Sequence, residues 1–243
     1  AVKAALLEAG REFGLQQVGS LAYLSNALET GWVAMPVPAI YTSPQLRAYR
    51  EWLPATGREA RWALGGSFYS PKIEDYYFTP WDLGYDRHLK FDHDFVGRAA
   101  LEELAKRPHR RKVTLVWDAE DVTRVLAAVF QDGPPPKYID FPVSHYAAFK
   151  YDRVLNRIGE LVGVSTYAGY SANERAMLSL AVVDEACSEP GTEVVLVWGE
   201  EGGGAKTVPW MERHVQVEIR ATVGPVPISQ AAQKYWAEVK ARR

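Results

Sequence analysis

The fold is decided by two short apolar segments, Glu160-Leu-Val-Gly-Val-Ser-Thr-Tyr167 and Met177-Leu-Ser-Leu-Ala-Val-Val183. Turn residues separate them, and short alternating segments of this kind are typical of strands. Three further segments share the pattern: Arg153 to Leu155, Glu193 to Trp198 and His214 to Thr222. Strands at this spacing predict a small antiparallel β-barrel or sandwich.

The segment Lys112 to Trp117 fits the same pattern, which places the predicted domain boundary near Arg110. We therefore expect an α+β protein with a mixed region over 1–110, a barrel domain over 111–230 and a C-terminal helix over 231–243. Consecutive prolines make the stretch 132–136 a stiff, non-helical linker inside the second part.

Capping residues mark helices in the first part of the chain. A helical pattern from Val2 stops at Gly14, and 15–18 is short enough to be a strand. A second helix begins at Ser20 and closes at Gly31. The pairs Ser43-Pro44 and Thr79-Pro80 predict two more helix starts. Further helices are predicted over 95–107 and 120–131.

The composition excludes several classes of function. The chain of 243 residues has a net charge of -2 and a pI near 6.3, so it offers no basic surface for nucleic acid. Its single cysteine, Cys187, rules out an internal disulfide framework and fits a reducing cytoplasm. No apolar run is long enough to span a membrane, and no signal peptide precedes the first helix. That helix begins at once, which is how a fragment would look.

Three stretches resemble known functional motifs but lack the neighbouring residues that those motifs require. The stretch from Gly199 to Thr207 almost spells a phosphate-binding loop, but Ala205 displaces the lysine and the strand pattern continues after Pro209. We expect a hairpin there. Adjacent side chains in 92–94 point to opposite sides of an extended chain, so we expect no metal site. Ser165 lacks the second glycine of a nucleophile elbow, so a serine hydrolase is not predicted.

Aromatic residues make up 12% of the chain and crowd into its first third. Aromatic side chains usually pack in cores, but such density is also what a stacking site for a flat ligand needs. Periodicity alone leaves both readings open.

Successive blocks of the chain resemble the glycine-cleavage T-protein (aminomethyltransferase) family, in order and over nearly the whole length. The blocks are Gly19 to Trp32, Asp75 to Tyr85, Lys90 to Leu101, the basic run to Arg111-Lys112, Gly159 to Ser171 and Pro190-Gly-Thr-Glu193-Val. Within that family, four features resemble the tetrahydrofolate-dependent vanillate and syringate O-demethylases. They are Tyr23, Trp32, the insert from Pro36 to Arg61, and Val223-Gly-Pro-Val-Pro227.

This resemblance implies folate-binding lobes around a central channel, with this chain as the C-terminal half and the N-terminal half as its partner. It also implies an enzyme that moves a methyl group from a methoxybenzoate such as vanillate, syringate or 3-O-methylgallate to tetrahydrofolate. Three alternatives stay open: an aminomethyltransferase, a sulfonium demethylase of the same superfamily, and a non-catalytic folate-binding protein.

The resemblance also assigns site residues. Tyr23 matches the tyrosine of the demethylase branch and is the predicted catalytic proton donor. Trp32 and Tyr85 are predicted to bind tetrahydrofolate, Trp32 by stacking and Tyr85 by lining the channel. The chain departs from the family at Leu21, where relatives commonly carry arginine.

Overall fold

The computed structural model describes residues 1–34, 36–204 and 211–241. The helices in these ranges are α1 (Val2–Gly10), α2 (Ser20–Thr30), α3 (Arg47–Trp52), α4 (Arg98–Leu104), α5 (Ala119–Ala128) and α6 (Gln230–Ala241). The strands are β1 (Leu64–Gly65), β2 (Arg111–Trp117), β3 (Phe149–Lys150), β4 (Asp152–Leu155), β5 (Leu161–Ser171), β6 (Ala176–Val183), β7 (Glu193–Trp198) and β8 (Val217–Gly224).

Six of the strands close into a barrel in the order β2-β6-β5-β4-β7-β8, and β8 pairs with β2 to complete the ring. Every pair in the ring is antiparallel. The predicted α+β class with a small antiparallel barrel is therefore confirmed. The strand that begins at Arg111 is one of the six barrel strands. The division of the chain into domains stays a prediction.

The barrel interior follows the alternation of its strands. On β2, Val113, Leu115 and Trp117 point inward and are almost fully buried. The strand β6 differs because it is buried on both faces. Its outward-facing Leu178 and Leu180 belong to a separate apolar cluster outside the barrel. A strand buried on both sides needs a second layer, and here that layer is α2.

The helix α2 lies on the outside of β5 and β6. Its Leu28 is fully buried against Leu178, Leu180 and Val143. Gly169 on β5 lies beneath Leu28, where a Cβ atom would overlap the carbonyl oxygen of Pro142. This packing fixes the position of α2, and with it the residues at both of its ends.

Several local expectations were wrong. The stretch 15–18 forms no strand, although Gly14 has the left-handed conformation that ends the first helical segment. Thr79-Pro80 begins only a turn. Thr79 and Asp82 exchange the hydrogen bonds of a helix start, but Gly84 takes the left-handed conformation with a φ of 70° and ends the turn. The helix predicted over 95–107 starts only at Arg98, since Gly97 has a positive φ of 91°.

Three further expectations concern the proline stretch 132–136, the hairpin after Gly199 and the C-terminal helix. The proline stretch lies beside the segment that leads into β8, because Pro136 forms a bridge with Val215. The predicted hairpin after Gly199 falls partly on 205–210, outside the described residues, as does the end of the predicted C-terminal helix at 242–243. No helix in the described part of the chain is long and apolar enough to cross a membrane.

A charged cluster joins α5 to the barrel. Asp118 caps α5 by accepting hydrogen bonds from the backbone of Glu120 and Asp121. The carboxylate of Asp121 accepts two hydrogen bonds of 2.9 Å from Arg220 on β8, one from its backbone and one from its side chain. Chiefly through the Arg220 side chain, these contacts hold the pKa of the Asp121 carboxyl well below its ordinary value.

We predict that Asp121→Asn lowers the free energy of unfolding at pH 7 by roughly 1–3 kcal/mol, the usual worth of a hydrogen bond to a charged group. Because the pKa is lowered in the folded state, this stabilisation is present above the unfolded pKa of about 4 and is lost as the pH falls below it. Urea denaturation at pH 7 measures the loss of stability, and at pH 2.5 the difference between the variant and the natural protein should be smaller.

Glu120→Gln is the matched control, because the Glu120 side chain is 91% exposed and lies 3.7 Å from Arg220. It should leave stability nearly unchanged. Equal losses for the two variants would contradict the role given to Asp121.

Candidate functional site

A groove with a volume of about 1460 Å³ runs along one side of the molecule. Its walls are the C-terminal end of α2, the turn at 81–88, the start of β2 and the helix α6. Trp32 and Tyr85 both line it. The structure thus brings together the two residues predicted to bind the cofactor, although their role stays a prediction.

Trp32 owes its position to the end of α2. Gly31 terminates the helix with a φ of 74°, and the backbone N–H of Trp32 donates a 3.0 Å hydrogen bond to the carbonyl of Ala27. This left-handed ending turns the chain sharply, as it does at many helix C-termini. The Trp32 side chain remains 43% exposed at the groove.

Tyr85 is presented by the turn that follows Pro80. Its backbone N–H donates a 2.8 Å hydrogen bond to the Pro80 carbonyl, and Gly84 supplies a φ of 70°. Trp81, in the same turn, also lines the groove and stacks on His109 with the ring centroids 4.2 Å apart. The turn therefore offers one aromatic ring that is held by stacking and one, Tyr85, that is 42% exposed.

Lys112 at the start of β2 connects the two walls. Its Nζ donates a 2.7 Å hydrogen bond to the carbonyl of Gly31 and lies 5.8 Å from the centroid of the Tyr85 ring. Burial, and secondarily the charge of Arg87, lower the pKa of Lys112 to about 8. The only signal for this residue in the sequence was its place in the basic run of a family block.

A buried carboxylate, that of Glu29, lies at the other edge of the groove. It accepts a 2.6 Å hydrogen bond from Ser171 and two more from the side-chain amide of Asn173. The backbone of Ser229, just before α6, donates to the Glu29 carbonyl. Glu29 thereby fastens α2 to the β5–β6 hairpin and to the start of α6.

Tyr23, the predicted catalytic residue, lies elsewhere. It precedes Trp32 by nine residues, which is about 13 Å along a helix axis. Its side chain is 57% exposed, and its hydroxyl has no hydrogen-bond partner among residues 1–34, 36–204 and 211–241. Leu21, where the family carries arginine, is also exposed on this end of α2. Within this chain, Tyr23 and the groove are separate features.

Titratable residues that the sequence did not single out lie beside this end of α2. Tyr167 has an unusual positive φ of 48°, at an irregularity of β5, and its hydroxyl donates to the carbonyl of Leu24. Lys150 lies 5.3 Å from the Tyr167 ring centroid and 3.3 Å from Nδ1 of His145. Burial and the charge of Lys137 lower the pKa of Lys150 to about 8.

Strain and shifted pKa values commonly mark functional sites. Tyr167 and Lys150 therefore mark a second candidate site, which lies beside the Tyr23 end of α2 and outside the groove.

A second set of buried charges lies away from the groove. Lys137 and Glu200 form an ion pair of 3.0 Å, and the Lys137 Nζ lies 3.0 Å from the centroid of the Tyr146 ring. The hydroxyl of Tyr146 donates a 2.6 Å hydrogen bond to Asp152. None of these residues lines the groove, so the cluster has the character of a structural network.

The rejected motifs have ordinary structural roles. Ser165 is buried and shares a 2.8 Å hydrogen bond with Ser179, whereas His214 contacts Glu200. His93 bonds to its neighbour Asp92. Among the described residues, no group of three or more His, Cys, Asp or Glu side chains could hold a metal ion.

The crowded aromatic residues fall into two groups. Some form a core cluster beneath β5, in which Tyr76 and Tyr151 meet edge to face with their centroids 5.1 Å apart. Others line the groove, namely Trp32, Trp81 and Tyr85. The use of aromatic side chains in core packing is therefore confirmed, and the stacking of a flat ligand in the groove stays a prediction.

Two curated proteins are similar to this chain. Syringate O-demethylase of a Sphingobium species is 46% identical over 98% of this chain and 51% of its own length. Sesamin methylene transferase of a Sinomonas species is 32% identical over 92% of this chain and 50% of its own length. The chain thus spans about half the length of the curated relatives it matches. No protein-family model matches it.

One solved structure shows a looser likeness. Glycine cleavage system aminomethyltransferase T from Bartonella henselae is 18% identical and covers 63% of this chain and 32% of its own, with a TM-score of 0.36. Nothing about the site follows from a likeness at this level.

We predict that Gly31→Ala destabilises the protein and shifts Trp32. A side chain in the left-handed conformation costs about 1–2 kcal/mol, and the added Cβ would overlap the Cγ1 of Val226. The melting temperature and the indole N–H resonance of Trp32 in NMR spectra measure the two effects.

Gly19→Ser is the matched control, because Gly19 has an extended backbone, has open space around its Cα, and precedes the first residue of α2. Serine is favoured at such a position. If both variants melted alike and left the Trp32 resonance in place, Gly31 would not be what sets the position of Trp32.

Proposed function

Because the chain belongs to the same family as syringate O-demethylase and sesamin methylene transferase, we propose that the protein containing it transfers a methyl group from an aromatic methoxy group to tetrahydrofolate. The observation that carries this proposal is the 46% identity with syringate O-demethylase over nearly the whole chain. The substrate is a methoxybenzoate of the class that includes syringate, vanillate and 3-O-methylgallate.

The groove fits the cofactor. A flat heterocycle packs well on aromatic rings, and Trp32, Trp81 and Tyr85 all lie along this one surface. Bound tetrahydrofolate would supply the ring nitrogen that takes the methyl group. Trp32 and Tyr85, the two rings that are partly exposed at the groove, are the residues that hold it.

The difficult part of the reaction is the departure of the aryl oxide, because the oxygen that gives up the methyl group needs a proton. A tyrosine suits this role, since its phenol and the product phenol both titrate near about pH 10. We assign the role to Tyr23, whose hydroxyl is exposed and has no partner within the described part of this chain. The proton that the folate nitrogen loses balances the one that the aryl oxygen gains.

The site needs a further part of the protein. None of the residues of α1 is buried, and Val2, Leu6 and Phe13 are exposed apolar side chains. Exposed apolar side chains that cluster in one segment commonly mark an interaction surface. We propose that the remaining half of the protein, which the relatives contain, covers this segment and encloses Tyr23.

Transfer of a methylene group is the second candidate. One relative is named a sesamin methylene transferase, and its identity of 32% extends over 92% of this chain. In that case the donor would be a methylenedioxy ring in place of a methoxy group. No comparable observation favours a sulfonium donor or a non-catalytic folate-binding protein.

We predict that the complete protein converts syringate and tetrahydrofolate to the corresponding phenol and methyl-tetrahydrofolate. Mass spectrometry of both products, with a ¹³C-labelled methoxy group, measures the transfer. Label in the folate product only when a methylenedioxy donor replaces syringate would favour the second candidate. No label from either donor would overturn the proposal.

We also predict that Tyr23→Phe in the complete protein lowers kcat about 100-fold or more, as expected for loss of a positioned proton donor. Tetrahydrofolate binding should remain, because the groove does not contain this residue. Steady-state kinetics and ligand titration measure the two quantities.

Tyr138→Phe is the matched control, since Tyr138 is equally exposed at 57% and does not line the groove. If Tyr23→Phe turned over as fast as this control, the proton would have to come from another group.

A further inference from the structure

Two positive charges in the groove lack a counter-ion. Among the described residues, no carboxylate forms an ion pair with Lys112 or Arg87. Their neighbours in sequence differ, because Arg111 pairs with Glu185 at 2.8 Å and Arg110 with Asp82 at 3.0 Å. Lys112 is partly buried, and a partly buried cation without a partner is costly, so its place in the groove points to a ligand. Arg87 is exposed and adds a second positive charge beside it.

The polar contacts of Lys112 leave capacity for that ligand. An ammonium group has three N–H donors, and Lys112 gives one of them to the carbonyl of Gly31. The other two have no acceptor in the described part of the chain. Gly84 lies against this group, 3.5 Å from Nζ to the place where a Cβ would stand. The ammonium is therefore held between the two walls of the groove.

Arg87 is held beside the same space. Its guanidinium lies 5.5 Å from the centroid of the Trp236 ring on α6, and its Nε donates to His88. Its charge is close enough to Lys112 to contribute to the lowered pKa of that lysine. With a pKa of about 8, Lys112 is mainly protonated at pH 7, so its ammonium and the Arg87 guanidinium face one ligand-sized space.

The carboxylates that line the groove do not neutralise these charges. Glu29 is occupied by Ser171 and Asn173. Asp86 and Glu174 also line the groove, yet neither forms an ion pair with Lys112 or Arg87.

We propose that Lys112 and Arg87 form a carboxylate-binding subsite of the groove, which anchors a ligand carboxylate beside Trp32 and Tyr85. This assignment rests on the proposed function for the class of ligand. Arginine binds carboxylates through a planar pair of donors, and lysine adds a compact charge. Two ligands of the proposed reaction carry carboxylates: tetrahydrofolate on its glutamyl end and the methoxybenzoate on its ring.

The test compares ligands with and without a carboxylate, in the complete protein. The pairs are tetrahydrofolate with a tetrahydropterin that lacks the aminobenzoyl-glutamate, and syringate with 2,6-dimethoxyphenol. Dissociation constants are measured by calorimetry for the natural protein, Lys112→Met and Arg87→Met. Arg157→Met is the matched control, because Arg157 does not line the groove and pairs with Glu193 at 2.7 Å.

Each of the two variants should weaken binding of one carboxylate ligand about ten- to a hundredfold, the effect of losing a hydrogen bond to a charged group. The carboxylate-free analogue of that ligand should bind as before, and Arg157→Met should change the affinity for neither ligand. The anchored ligand is the one whose affinity falls in the variants while the affinity of its carboxylate-free analogue does not change. A shift of Trp32 or Tyr85 alone would instead weaken both members of a pair equally, and that result would overturn the proposal.

The subsite and the proposed function fail in different ways. If the natural protein binds and demethylates but both variants keep its affinities, the subsite is wrong and the function stands. If methyl transfer is absent but syringate or tetrahydrofolate still binds through Lys112 and Arg87, the function is wrong and the subsite stands. Absence of any binding by the natural protein would overturn both.

Discussion

The arrangement of this molecule depends on the burial of Leu28 between α2 and the outer face of β6. If the outer face of β6 were polar, α2 would have no apolar surface on which to pack. Leu178 and Leu180 make that face apolar, and Leu28 is fully buried on it. Burying one such side chain contributes about 1.5–3 kcal/mol, and a helix of eleven residues is marginal without such packing. The barrel therefore makes α2 rigid, and α2 in turn carries Tyr23 near one end and Trp32 just beyond the other.

The groove follows from how α2 ends. Gly31 turns the chain so that Trp32 meets the turn carrying Tyr85, and Lys112 reaches from the barrel to bind the Gly31 carbonyl. A lysine that served only to hold this carbonyl would be expected to have a carboxylate nearby to offset the cost of its burial. Within the described residues it has a second cation instead. The hydrogen bond from Lys112 to the Gly31 carbonyl thus holds the two aromatic walls together and places the positive charge of Lys112 at the groove.

The sequence predicted the barrel well because strand alternation is a local property. The segment Glu193 to Trp198 was predicted with its observed bounds, and the strand starting near Lys112 was assigned to the same sheet. Turn chemistry was less informative. Thr79-Pro80 has the residues of a helix start and Asp82 caps it, but the left-handed Gly84 ends the turn. The stretch 15–18 has apolar residues but no neighbouring strand in the described chain, and a strand requires a partner.

The candidate site was predictable only where a family block carried it. Trp32 and Tyr85 could be named from the sequence, and they do share a groove, but Lys150, Tyr167 and Arg87 could not. The positions of these three depend on contacts over long separations in the chain, such as that between Tyr167 and Leu24. The positive φ of Tyr167 is likewise set by an irregularity in strand pairing, which no composition pattern reveals.

One rigid helix joining Tyr23 to Trp32 has a consequence for the ligand. The nine residues between them span about 13 Å, so neither residue can approach the other without unwinding α2. A single small ring cannot contact both. If both residues act in one reaction, they must act on an elongated ligand or on two ligands placed end to end, and a methyl acceptor beside an aromatic methyl donor forms such a pair. The proposed methyl transfer meets this requirement, because each of the two residues can then serve a different substrate.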